Sequence, residues 1–94
     1  MATLGADLAV VAALDSACGY AALTLMPAEA EVLSVEFKVN LLAPASGERL
    51  VAVGDVVRAG STLTVCRGDA YAEQEAERVH VATMLATMVR RRAG

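Results

Sequence analysis

Aromatic residues are scarce in this chain: its 94 residues include one phenylalanine, two tyrosines and no tryptophan. The hydrophobic fraction of 56% must therefore come mainly from valine, leucine, alanine and methionine. A chain of this length makes one domain, spanning 1–94, whose core can hide only part of so much apolar surface. We therefore expect a second subunit to cover some of it, in a homodimer or homotetramer.

Basic residues are also few, and the formal net charge is −3. Three of the basic residues are consecutive, at 90–92, where a solvated arginine tail is the simplest interpretation. The chain has no basic stripe interleaved with aromatic residues, which is the signature of nucleic-acid binding. We expect no nucleic-acid partner.

Cysteine and histidine are too sparse for a metal site. Cys18 and Cys66 are far apart and form no C-x-x-C pair, which favours reduced core thiols in a cytoplasmic protein. His80 is the only histidine, and we expect it on a sheet face or at the surface. The sequence predicts no metal ligands.

The apolar stretch at 4–26 is neither a typical signal peptide nor a typical membrane span. It lacks a basic flank, and Asp7 and Asp15 interrupt it, the latter near the middle, where a charge is most costly in lipid. We expect no membrane partner. A small membrane-associated α/β protein is nevertheless kept as one hypothesis.

The hydrophobic period changes once along the chain. Residues 5–26 lack turn chemistry, are apolar on nearly every helical face and stop at Pro27, which predicts one long helix buried on most sides. From Glu31 the period becomes two, and turn signals divide the rest of the chain into strands. We predict an α+β domain with an antiparallel sheet of at least four strands, at 31–42, 49–58, 62–71 and 78–90, with a solvated loop at 72–77.

One acidic residue stands out within the helix. Asp15 lies in "VVAALDSACGYAAL", where every helical neighbour three or four positions away is apolar or small. A buried carboxylate costs several kcal/mol unless it is paired or hydrogen-bonded. Asp15 is therefore either a reactive group beside a space left by Gly19, or a carboxylate bonded to a serine, threonine or backbone group of a neighbouring strand, or exposed at a seam.

Three segments in this order resemble the hotdog-fold acyl-CoA thioesterases of the phenylacetic-acid-degradation type. They are "LDSACGYAALTLMP", "VEFKVNLLAPA" and "VVRAGSTLTV", and the resemblance covers roughly residues 10–89. It implies a helix wrapped by a curved antiparallel sheet, with an active site at a dimer interface. It also implies an acyl-CoA substrate, no cofactor beyond the coenzyme A of that substrate, and Asp15 as general base or nucleophile.

The helix start departs from the family pattern. The family has His-Gly-Gly beginning nine residues before the catalytic acid, where this chain has Ala6, Asp7 and Leu8. We expect the backbone amides of Asp7 and Leu8 to serve as oxyanion donors, and the chain to lack the N-terminal strand of the family. Without its donors the domain would be a non-catalytic acyl-CoA-binding or assembly module, which is the main alternative.

Other polar or small residues are candidates for substrate binding. Arginine binds phosphate well, so a hairpin arginine could meet coenzyme A, and polar strand residues could face the substrate from the partner subunit. The alternative is that they have no binding role and line the solvent side of the sheet. The candidates are Gly19, Asn40, Arg58, Ser61 and Thr62.

Overall fold

The computed structural model describes residues 4–28 and 30–92, which form one helix followed by four strands. The strands make one antiparallel sheet in the order β1-β4-β3-β2, and the helix packs on one face of it. This is the predicted α+β architecture. The elements are α1 Leu4–Leu23, β1 Ala30–Leu41, β2 Arg49–Ala59, β3 Leu63–Gln74 and β4 Glu77–Arg92.

The helix ends at Leu23, earlier than the predicted Met26. Beyond it the N–H groups of Leu25 and Met26 donate to the carbonyls of Ala22 and Leu23, both at 3.1 Å, so the chain tightens into three-residue turns. Pro27 cannot continue the helix, because it has no N–H and disfavours a helical conformation at the residue before it.

The hairpin between β3 and β4 is tighter than predicted. The range 72–77 was expected to be a loop, but the strands extend through it to a turn at 75–76. Glu73 accepts hydrogen bonds from Arg49 Nε at 2.9 Å and Arg78 Nε at 2.8 Å, and these bonds hold the pKa of Glu73 below its usual range. These cross-strand ion pairs allow β3 and β4 to stay paired up to the turn although both strands carry charged residues there.

The core lies between one stripe of α1 and the sheet. From Val10 to Ala22 every fourth residue of the helix is buried, and the sheet meets this stripe mostly with small or flexible side chains. We call the sheet face toward α1 the inner face, and the opposite one the outer face. The buried side chains are those of Val10, Leu14, Cys18 and Ala22 on α1, and of Thr64, Cys66, Ala70, Ala72, Val81, Ala82, Met84, Ala86 and Met88 on the sheet.

The prediction that α1 is buried on most sides is wrong for the single chain. Leu8 and Tyr20 are 61% and 72% exposed, although the helix is apolar nearly all round. One sheet can cover only one side of a helix, so the remaining apolar surface faces outward.

Two glycines let α1 approach the sheet closely. Gly54 on β2 and Gly68 on β3 lie directly opposite each other. A Cβ on Gly54 would stand 2.4 Å from the carbonyl oxygen of Ala17, and one on Gly68 would stand 3.0 Å from side-chain atoms of both Leu14 and Cys18. The helix therefore rests against the backbone of the sheet at this pair.

The edge strand β1 contains a bulge that changes which residues face α1. The register with β4 shifts between Ser34 and Glu36. Before the shift Ser34 pairs with the buried Met88, so it lies on the inner face, and Leu33 lies on the outer face. After it Phe37 lies on the inner face. The two-residue period predicted from Glu31 onward is therefore interrupted between Ser34 and Glu36, and Leu33 and Phe37 lie on opposite faces.

Both cysteines are free and buried, as predicted. Burial raises the pKa of the Cys18 thiol to about 11, with smaller contributions from Cys66 and Asp15, and burial also raises the pKa of Cys66. Both thiols are therefore protonated at neutral pH.

Within residues 4–28 and 30–92, no helix combines the length and the apolar character needed to cross a bilayer.

The close approach at Gly54 predicts that Gly54→Ala destabilises the domain by about 1–3 kcal/mol, because helix and strand must separate to admit the methyl group. Gly19→Ala is the matched control, since its Cβ would meet only Val32, at 3.9 Å. For Gly19→Ala we expect the free energy of unfolding to rise by up to about 1 kcal/mol, because alanine has a higher helix propensity than glycine. Urea unfolding at one chain concentration measures both, and a Gly54→Ala protein as stable as wild type would contradict the packing.

The buried thiols predict that neither cysteine reacts with Ellman's reagent in the folded protein at pH 8. For Cys18 a pKa near 11 leaves on the order of one thiolate in a thousand at that pH, and burial blocks access to both thiols. In guanidinium chloride both should react at once. Rapid reaction of either thiol in the native protein would show that the core is not closed around it.

Candidate active site

Asp15 lies on the flank of α1 that faces β1, beside the buried stripe. Its side chain is half-buried, and its Oδ1 accepts a hydrogen bond of 2.5 Å from the hydroxyl of Ser34. The Ser34 hydroxyl also lies 3.3 Å from the sulfur of Met88. A carboxylate that keeps contact with solvent and gains a hydroxyl donor avoids most of the cost of burial.

Ser34 reaches Asp15 because of the bulge in β1. In an unbroken alternation with Phe37 on the inner face, Ser34 would lie on the outer face. The register shift after Ser34 reverses its side. Ser34 was missed from the sequence, because the position of a bulge depends on pairing with a strand about fifty residues later.

An open cleft of about 220 Å³ surrounds the Asp15–Ser34 pair. It is smaller than the 300–1,000 Å³ typical of pockets for drug-sized ligands, so it fits the reacting end of a substrate rather than a whole cofactor. Residues of α1, β1 and β4 line it: Asp15, Ser16, Gly19, Tyr20, Leu23, Val32, Ser34 and Met88.

Gly19 lines the cleft one helical turn after Asp15. A Cβ at this position would have only Val32 within 4 Å, at 3.9 Å, so the absent side chain leaves free space beside the carboxylate. The structure therefore brings together two of the residues singled out from the sequence, Asp15 and Gly19.

The other substrate-binding candidates lie away from this cleft. Asn40 pairs with Thr83, and Arg58 pairs with Val65, both on the outer face, so the sheet separates them from Asp15. Ser61 and Thr62 lie in the turn between β2 and β3. Within one chain the structure does not place these four residues around Asp15.

The helix start lies far from Asp15 along the same helix. Since α1 begins at Leu4, Leu8 is its fifth residue, and the N–H of a fifth residue bonds to the carbonyl of the first. Asp7 lies at the limit of the free N–H groups. At a rise of about 1.5 Å per residue, Asp7 and Leu8 are about 10–12 Å from Asp15 along the helix axis.

His80 lies on the outer face, one of the two places expected for it. Its Nε2 is 2.9 Å from Asp69 Oδ1, and its ring stacks on Tyr71 with the centroids 4.9 Å apart. This histidine and its acid are thus on the opposite side of the sheet from the cleft. Among the residues described, no group of three or more His, Cys, Asp or Glu side chains could hold a metal ion.

Comparison with known proteins agrees with this architecture. The family model of the Thioesterase superfamily matches residues 9–79. A thioesterase family protein from Silicibacter pomeroyi, known from its crystal structure, is 52% identical with a TM-score of 0.87, and the match covers 90% of this chain and 62% of that one. No curated protein matches the chain.

More distant crystal structures share the fold. A Bacillus halodurans protein crystallised with CoA is 24% identical with a TM-score of 0.77, the match covering 83% of this chain and 53% of that one. A Staphylococcus aureus protein is 17% identical with a TM-score of 0.80, covering 92% and 69%. The chain thus spans less than two thirds of the Silicibacter and Bacillus proteins.

These likenesses confirm the hotdog fold predicted from the sequence, with one helix packed on an open four-stranded antiparallel sheet in the part of the chain that the structure describes. The family match covers more than half of the chain and includes Asp15, Gly19 and Ser34. The chain therefore belongs to the Thioesterase superfamily.

Proposed function

We propose that this protein is an acyl-CoA thioesterase of the phenylacetic-acid-degradation type, acting in the cytoplasm, with coenzyme A bound only as part of the substrate. The family membership supports the reaction class. The observation that carries the proposal is the Asp15 carboxylate, held by Ser34 at the wall of an open cleft.

Asp15 supplies the basic group that thioester hydrolysis needs. As general base it takes a proton from water, whose oxygen attacks the thioester carbonyl carbon. The tetrahedral intermediate then collapses, the C–S bond breaks, and the CoA thiolate leaves and takes up a proton. As nucleophile the carboxylate would instead attack the carbonyl carbon, the C–S bond would break with loss of the CoA thiolate, and water would hydrolyse the resulting mixed anhydride in a second step.

Ser34 positions the carboxylate. Its hydroxyl donates to Oδ1, and no hydrogen bond to Oδ2 is found among the described residues. Oδ2 is therefore free to meet water or the thioester carbon. A fixed carboxylate loses less orientational freedom on reaching the reactive geometry, which is one source of rate enhancement.

The oxyanion donors expected at the start of α1 cannot act together with Asp15 of the same chain. A donor stabilises the developing oxyanion at about 3 Å, and the attacking group lies about 3 Å from the same carbonyl. The amides of Asp7 and Leu8 are about 10–12 Å from Asp15 along α1, too far to act on the same carbonyl. We therefore propose a site shared between two subunits, with Asp15 from one and the helix start from the other.

A non-catalytic acyl-CoA-binding or assembly module is the second candidate. The observation that favours it is the helix start, where the Leu8 amide falls within the hydrogen-bond ladder of α1. In addition, the aspartate at position 7 brings a negative charge where the family has glycine, and like charges repel an oxyanion. A protein that binds acyl-CoA but releases no CoA would be this module.

Asp15→Asn should lower kcat by about 10²–10⁴-fold, because an amide cannot accept the proton that a general base removes. CoA release from aromatic, medium-chain and long-chain acyl-CoAs measures turnover, and calorimetric binding of the best substrate reports on the cleft. We expect binding to survive, since the amide is nearly the same size as the carboxylate.

Glu48→Gln is the matched control for Asp15→Asn, because it removes one exposed carboxylate outside the cleft. It should turn over like wild type. Wild-type hydrolysis by Asp15→Asn on every substrate would eliminate the proposed mechanism. Binding without turnover by the wild-type protein would favour the non-catalytic module.

Ser34→Ala should lower kcat by about tenfold and leave KM nearly unchanged, because the carboxylate remains but is no longer held. Its effect should be small in the Asp15→Asn background, where there is no base left to position. Ser46→Ala, in the exposed loop before β2, controls for the loss of a hydroxyl. Equal losses from Ser34→Ala in both backgrounds would show that Ser34 acts independently of Asp15.

A further inference from the structure

The cleft beside Asp15 changes from polar to apolar along its length. At one end it is lined by side chains that carry oxygen atoms, those of Asp15, Ser16 and Ser34. Toward the other end the lining residues are Gly19, Tyr20, Leu23 and Val32, and the Tyr20 hydroxyl is the one polar side-chain group among these four. A pocket with a few polar groups at one point and apolar groups elsewhere orients its ligand in one direction.

The helix α1 and the strand β1 run in opposite directions along the two sides of this cleft. Asp15 accepts the hydrogen bond from Ser34 at one level. One helical turn later Gly19 lies beside Val32, which is two residues earlier on β1, and a Cβ at Gly19 would stand 3.9 Å from Val32 Cγ1. A second turn leads to Leu23, the last residue of α1. The cleft therefore extends from the carboxylate toward the C-terminal end of α1.

The chain itself closes the cleft at this end. After Leu23 it turns through residues 24–28 and enters β1 at Ala30, whose N–H donates to the carbonyl of Pro27 at 3.0 Å. The turn bridges the space between the end of the helix and the start of the strand. A ligand that begins at the carboxylate and lies along the cleft must therefore end before this turn.

Of the two parts of an acyl-CoA that extend from the thioester, the acyl group suits a closed apolar end and the coenzyme A side does not. Coenzyme A continues through an arm with two amide groups to a nucleotide, and together these are far larger than a cleft of about 220 Å³. Amide groups lose free energy when they are buried without hydrogen-bond partners. An alkyl chain needs no such partners and is stabilised by leaving water.

The length of the cleft limits the length of that acyl group. From Asp15 to Leu23 the helix axis advances by about 12 Å. An extended chain covers about 3.3–3.6 Å for every three backbone bonds, so about ten bonds span this distance. The Leu23 side chain occupies the last part of it. The volume agrees, because about 220 Å³ holds about seven groups the size of a water molecule, at about 30 Å³ each.

We propose that the cleft between α1 and β1 binds the acyl group of a medium-chain acyl-CoA, of about six to eight carbon atoms, and that Gly19 and Leu23 set its length limit. This inference rests on the proposed function, because it takes the thioester to lie at Asp15. Gly19 acts by leaving space halfway along the cleft, and Leu23 acts at the closed end. A large side chain at position 19 would lie in the path of the acyl group.

Two substitutions with opposite effects test this limit. Gly19→Leu should lower kcat/KM for octanoyl-CoA relative to acetyl-CoA by about tenfold or more, because one methylene group in an apolar pocket already changes selectivity by about tenfold. Leu23→Ala should raise kcat/KM for decanoyl-CoA relative to octanoyl-CoA by about tenfold, because it removes a side chain at the closed end. A general loss of stability lowers turnover of every substrate, so it cannot produce two opposite shifts.

Ala12→Leu is the matched control for Gly19→Leu, because it adds the same side chain at an exposed position of α1 that does not line the cleft. It should keep the wild-type order of substrates. Release of CoA from saturated acyl-CoAs, from acetyl to palmitoyl, measures turnover. Calorimetric binding of the same series reports on the cleft without requiring turnover.

The outcomes separate this inference from the proposed function. If the wild-type protein hydrolyses none of the series, the proposed function fails, and the binding profile still tests the length limit. If the wild type hydrolyses the series but each variant changes all chain lengths by the same factor, the proposed function stands and this inference is overturned, because the cleft would then hold the coenzyme A arm that all the substrates share. A wild-type preference for palmitoyl-CoA over octanoyl-CoA would overturn it too.

Discussion

The contact between α1 and the Gly54–Gly68 pair determines the geometry of the rest of the domain. The backbone of the helix at Ala17 lies where any side chain at Gly54 would be, so this crossing point cannot shift without a loss of packing. With the helix seated there, Leu14 and Cys18 face β3 while Asp15 and Gly19 face β1. The absence of side chains at Gly54 and Gly68 thus helps to set where Asp15 lies on the sheet.

The same contact explains how a carboxylate can belong to so apolar a helix. Only one stripe of α1 is buried, and Asp15 lies next to that stripe rather than in it. It keeps access to the cleft and accepts a hydrogen bond from Ser34, so the full cost of a buried charge never arises. Of the roles considered for Asp15, the bond to a strand serine is what the structure shows, and it is compatible with the reactive role that we propose.

The two faces of the sheet differ in how much of their surface is covered within the described chain. The inner face is built of alanine, cysteine and methionine and is closed by α1, except beside β1, where Phe37 and Leu41 remain half exposed around the open side of the helix. The outer face has no covering element in the described chain and mixes leucine with charges. Large exposed apolar side chains are therefore found on both faces of the sheet.

The order of one helix and four strands, a helix end before Pro27 and the proximity of Asp15 and Gly19 could all be predicted from the amino-acid sequence, because each of these depends on local chain geometry. The helical period alone places residues 15 and 19 on one face, and proline ends a helix whatever surrounds it. Which strand residue meets Asp15, and which residues face away from it, depends instead on how distant segments pack together. Ser34 turns inward because a bulge interrupts the pairing of β1 with β4, and Asn40 and Arg58 lie on the outer face because of cross-strand register. Register comes from pairing between residues far apart in the chain, and a two-residue repeat reads the same before and after a one-residue shift.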